Sequence, residues 1–74
     1  MEAQTLDVTG LKCPMPILRA KKALAVLQEG DVLTVLATDP GAPDDFAVFC
    51  RQTGHGLLES SADNGVFKLV LQHK

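Results

Sequence analysis

Cys13 lies in Leu11-Lys12-Cys13-Pro14-Met15-Pro16, and its neighbours decide whether it is a reactive thiol or an apolar space-filler. Only the thiolate is a good nucleophile, so a working cysteine needs something that stabilises negative charge on sulfur. The start of a helix would do so through free N–H groups and its dipole, and Lys12, with Lys21 or Lys22, would add positive potential. Pro14 and Pro16 remove two of those donors yet stiffen the chain and fix where the sulfur points. We therefore read Pro14, Pro16 and Gly10 as supports of the site geometry, and expect an accessible Cys13 thiolate of lowered pKa. Position 16 is not Cys, so there is no C-x-x-C pair, and Cys13 has no resolving thiol beside it. A group bound to it would stay until a thiol from elsewhere arrived.

The second cysteine reads differently. Cys50 shares a helix face with Phe46 and Phe49, the pattern of a buried, inert thiol. Whether it ever pairs with Cys13 stays open, because a disulfide requires a close approach that sequence does not show. Lys12, Arg19, Lys21 and Lys22 are interleaved with Met15 and Leu18. Charges on an amphipathic helix usually form a solvated face, but exposed apolar residues among them suit brief docking of partner proteins or tuning of the thiolate. Asp45 is assigned to the same docking or tuning group, with the alternative that it only stabilises a helix start. His55 and His73 lack metal-ligand spacing with the cysteines, so we expect no metal site and no cofactor. With no Ser-His-Asp set and no Gly-rich phosphate loop, the chain reads as a shuttle rather than a turnover enzyme with its own substrate pocket.

These residues need elements to hold them. Residues 4 to 8 alternate apolar and polar positions and end at Thr9-Gly10, a short strand and turn. Pro14 suits a first helical position, and the spacing predicts a helix from Pro14 to about Gln28, closed by Glu29-Gly30. Its core stripe would be Pro16, Ile17, Ala20, Ala23, Leu24 and Leu27, with Met15, Arg19, Lys22 and Val26 opposite. Val32 to Ala37 is a near-continuous apolar run, as in a central strand. Pro43 to Thr53 reads as a second helix, closed by Gly54. Gly56 to Ala62 and Val66 to His73 form a hairpin around Asn64-Gly65, with Phe67, Leu69 and Leu71 toward the helices. The order βαβαββ predicts an α/β (α+β) two-layer sandwich: a four-stranded mixed sheet with both helices on one face.

Composition bounds the rest. At 74 residues with 46% hydrophobic and 22% charged, residues 1–74 read as a single domain able to fold around an aliphatic core. Nothing near Met1 resembles an export signal, and no apolar run approaches the roughly 20 residues of a membrane helix. We expect a cytoplasmic protein, off the membrane and monomeric, in a compartment that keeps both cysteines as thiols. A net charge of -2 argues against direct DNA binding, and the absence of sheet-face aromatics counts against RNA binding by the basic helix.

Leu6-Asp7-x-x-Gly10-x-x-Cys13-Pro14-x-Pro16, then Lys21-Lys22, Asp39-Pro40, Asp45 and Phe49-Cys50, resembles the TusA (SirA-like) sulfur carriers across nearly the whole chain. The resemblance implies the βαβαββ sandwich and a persulfide on Cys13 as the only bound group. It also implies a cysteine desulfurase or rhodanese-like donor and a downstream relay protein with an acceptor cysteine. In relatives such relays serve tRNA 2-thiouridine formation, molybdenum cofactor assembly or sulfur oxidation. The alternative function is a thiol-based regulatory or redox module, in which Cys13 is oxidised or captured as a mixed disulfide.

Overall fold

Val32–Ala37 alternates between half-buried and buried side chains, and this strand orients the sheet. In the computed structural model, which describes residues 3–74, it is β2, flanked by β1 (Ala3–Val8) and β4 (Val66–Gln72), with β3 (Gly56–Asp63) at the far edge. The order is β1-β2-β4-β3: β1 runs parallel to β2, while β2–β4 and β3–β4 are antiparallel. Helices α1 (Met15–Ala25) and α2 (Ala42–Thr53) follow β1 and β2, giving the expected βαβαββ order and mixed four-stranded sheet. Met1 and Glu2, part of the segment read for an export signal, lie outside the described residues.

The core lies between helices and sheet. Val8, Leu33, Val35, Ala37, Leu69 and Leu71 supply its sheet side, and Ala20, Leu24, Leu27, Ala42, Phe46, Phe49 and Cys50 its helix side. Phe46 is fully enclosed and meets Phe49 edge to face, with ring centroids 6.3 Å apart. Phe67 is only half-buried, unlike Leu69 and Leu71 on the same strand. The hairpin turn falls on Asn64 and Gly65, both at positive φ, which is what a two-residue turn between antiparallel strands demands.

One boundary differs from the sequence expectation. Helix α1 ends at Ala25 rather than near Gln28. Val26 N–H donates to Ala23 O and Leu27 N–H to Leu24 O, three residues back, so the chain tightens after the regular helix while Leu27 stays in the core. The apolar periodicity therefore outlasts the α-helix. Gly30, at φ +87°, lies in the turn beyond, where its N–H donates to His73 O.

Candidate functional site

Cys13 sits at the end of a short loop that four hydrogen bonds fix. Asp7 Oδ1 accepts hydrogen bonds from Thr9 N–H and Thr9 Oγ1, Leu11 N–H donates to Val8 O, and Gly10 N–H donates to Thr38 Oγ1 at 2.8 Å. The last of these ties the loop to the end of β2. Gly10 adopts φ +80°, and a Cβ there would meet nothing within 4 Å, so the position demands glycine for its backbone rather than for space. Gly10→Ala is expected to cost about 1 kcal/mol in urea unfolding, the left-handed penalty alone; an unchanged midpoint would remove Gly10 from the supports of the site.

The thiol of Cys13 is exposed, and its peptide to Pro14 is cis. Pro14 caps α1 and Pro16 is buried, so one proline closes the loop while the other anchors the first turn in the core. Met15, Leu18, Arg19 and Lys22 are exposed along the helix, as expected. Lys21 and Lys22 do not form one patch. Lys22 joins Arg19, Val26 and Leu6 on the β1 side of α1, while Lys21 turns toward α2, as the 100° step between consecutive helical residues requires.

The electrostatics at sulfur reverse the sequence expectation. The Cys13 thiol is pushed up from its ordinary value, not down. Hydrogen bonding of the protonated thiol to the Asp45 carboxylate comes first among the causes, then desolvation, then the charges of Asp45 and Asp39. Neither Lys12 nor Lys21 nor Lys22 is among the groups that move it. The helix start supplies little to oppose Asp45. Pro14 and Pro16 have no N–H, Met15 N–H donates to Lys12 O and Leu18 N–H to Pro14 O, which leaves Ile17 alone in that stretch to favour an anion. Asp45 thus opposes ionisation of the thiol, and Lys12 is an exposed residue beside it.

Asp45 reaches Cys13 because α2 packs beside α1. Cys13, Ile17, Asp45, Val48, Phe49 and Gln52 line a shallow groove of about 290 Å³ between the helices. Val48 and Gln52 were not legible as site residues, since they belong to the exposed face of a helix with no chemical signature of its own. Asp39 comes close to Asp45 at Gly41, where an added Cβ would lie in ordinary contact, 3.5 Å, from both Asp39 Oδ2 and Asp45 Oδ2. Cys50 is buried with a free thiol, its pKa raised by burial, and stands apart from this groove. Asp45→Asn is expected to speed iodoacetamide labelling of Cys13 several-fold at neutral pH, because removing the carboxylate lowers the thiol pKa and enlarges the thiolate fraction. In the unaltered protein the labelling rate should still be climbing at pH values where an ordinary cysteine has levelled off. Slower labelling of the variant would show that Asp45 activates the thiol.

The chain is thus a small two-layer α/β sandwich with an exposed thiol at the mouth of a shallow interhelical groove. The chain belongs to the TusA family: the family model described as Sulfurtransferase TusA matches residues 4–73. It is 51% identical over 69 residues to the sulfur carrier protein TusA of Allochromatium vinosum, covering 93% of this chain and 91% of that one. It is 74% identical over 74 residues, the full length of both chains, to a Neisseria meningitidis serogroup A relative whose name describes it provisionally as a sulfur carrier. The crystal structure of a SirA-like protein from Desulfitobacterium hafniense superimposes with a TM-score of 0.82 at 34% identity, over 93% of this chain and 95% of that one. No helix among the described residues is long and apolar enough to cross a membrane.

Proposed function

We propose that this protein carries sulfane sulfur as a persulfide on Cys13, taking it from a cysteine desulfurase or rhodanese-like donor and passing it to a cysteine of a relay protein. The observation that carries this reading is the exposed Cys13 thiol at the start of α1. In loading, the Cys13 thiolate attacks the outer sulfur of the donor persulfide, and the donor cysteine leaves as its thiolate. In discharge an acceptor thiolate attacks the outer sulfur, and the electron pair of the breaking S–S bond returns to Cys13 Sγ, which takes up a proton.

The raised thiol pKa fits holding sulfur. A leaving thiolate of higher pKa departs more slowly, which slows release of the sulfur to any attacking thiol. The exposed residues Met15, Leu18, Arg19 and Lys22 supply a mixed apolar and basic face for docking. The relay would serve tRNA 2-thiouridine formation, molybdenum cofactor assembly or sulfur oxidation, from the cytoplasm.

The reading is tested by following sulfur onward. Protein loaded by a desulfurase, then separated from it, should transfer labelled sulfur to a reduced relay protein faster than to an equal concentration of glutathione. Release to glutathione at the same rate would mean that the sulfur is not being carried.

A further inference from the structure

A sulfur atom carried on Cys13 exists in two forms, and the groove acts on the choice between them. A persulfide is more acidic than a thiol, because the inner sulfur withdraws electron density from the outer one. Once ionised, the outer sulfur repels an attacking thiolate, so only the protonated S–SH form is a good electrophile. Discharge therefore requires that a proton stay on the outer sulfur.

The groups that face this position come from four parts of the chain. The loop before α1 brings Lys12, which is exposed and is not among the groups that act on the Cys13 sulfur. At the start of α1, Pro14 and Ile17 line the groove without charge. Helix α2 brings Asp45, half-buried in the opposite wall. The segment between β2 and α2 brings Asp39, whose Oδ2 converges with that of Asp45 at Gly41. Among the described residues the one ion pair joins Lys68 to Glu59, on the sheet, so neither of these carboxylates is neutralised by a cation. Asp45 accepts a hydrogen bond from the Cys13 thiol, which places its carboxylate within reach of an S–H at this site. The outer sulfur lies about 2 Å beyond Sγ. The groove is shallow and open, so rotation about Cβ–Sγ sets the new S–H beside the same carboxylate.

We propose that Asp45, assisted by Asp39, holds the proton on the outer sulfur of the Cys13 persulfide and so keeps the cargo in its electrophilic form. The proposal rests on the sulfur-carrier reading and gives Asp45 a part in it. A carboxylate that accepts the S–H and repels a second negative charge favours the protonated form on both counts. In discharge the acceptor thiolate bonds to the outer sulfur, the Sγ–S electron pair returns to Cys13, and the hydrogen leaves with the outer sulfur on the acceptor. The same carboxylate makes Cys13 a slower leaving group, but exchange rates follow thiol pKa only fractionally. The protonated fraction follows its own pKa in full, about tenfold for each pH unit. Protonation therefore prevails wherever the persulfide would otherwise be ionised.

Iodoacetamide tests this, because it alkylates the ionised outer sulfur and the adduct is lost on reduction. Cys13 is loaded with inorganic polysulfide, its thiolate taking one sulfur as a shorter polysulfide leaves. The species with one added sulfur is then followed by intact mass over a pH series. Asp45→Asn should reach half its maximal alkylation rate at a pH about one unit lower than the unaltered protein. Asp39→Asn should shift the midpoint less. Asp44→Asn removes the same charge from an exposed position outside the groove and should not shift it. Coinciding profiles for Asp45→Asn and the unaltered protein overturn the proposal, as does an equal shift in Asp44→Asn. If the expected shift appears but no desulfurase or rhodanese loads Cys13, the role of Asp45 stands and the carrier reading falls instead.

Discussion

Cys13→Ser is expected to abolish sulfur loading completely while leaving the melting temperature unchanged. The side chain is solvent-exposed and contributes nothing to the buried core, so removing its sulfur takes away chemistry and not packing. A serine hydroxyl cannot replace a thiolate toward a persulfide, because its far higher pKa leaves no anion to attack. Cys50→Ser is the complementary variant. Cys50 is one of the buried residues between α2 and the sheet, and a hydroxyl there would cost about 1–3 kcal/mol of stability while loading persisted. Loss of loading in Cys50→Ser at a temperature where it remains folded would reverse the roles assigned to the two cysteines.

Phe46→Ala carries the largest expected effect on stability. Its side chain is fully enclosed, packs edge to face with Phe49, and is the largest of the fully buried side chains. Truncation of such a residue costs about 3–5 kcal/mol. A domain of this length has roughly 4–11 kcal/mol in total, so the variant should lose most of its margin. With a urea slope near 1 kcal/mol per molar, the midpoint should fall by about 3 M, or cooperative unfolding should disappear at 37 °C. Val48→Ala, two residues further on at the exposed side of the same helix, should change little. A loss below about 1 kcal/mol for Phe46→Ala would mean that the helix layer is held by other contacts. Asp45 precedes Phe46 and Phe49 follows it by three, so the same anchor sets both the carboxylate that faces Cys13 and one wall of the groove.

The strand and helix order was legible because each element carries its own signal: the apolar run of β2, the Pro-led starts of both helices, and Asn64-Gly65 in the hairpin. The exposed Cys13 and the buried Cys50 were legible for the same local reason. What escaped was long-range. Asp45 is remote in sequence from Cys13 and lies beside it only because the two helices pack on one sheet face, so a reading of chain neighbours gave weight to Lys12 and reversed the sign of the pKa shift. Adjacent lysines at 21 and 22 read as one patch, but the 100° helical step directs them to different grooves. The meeting of His55, His73 and Lys74 depends on the end of β4 returning beside the end of α2, and no motif announces it. Helix α1 was overextended because Leu27 remains apolar and buried after the regular hydrogen bonding has stopped.

The most direct measurement is intact mass after incubation with a cysteine desulfurase and cysteine, before and after reduction, with Cys13→Ser alongside. The account predicts a gain of one sulfur atom that reductant removes and that the variant never shows. No gain with desulfurase and rhodanese donors, or an equal gain in Cys13→Ser, would contradict it.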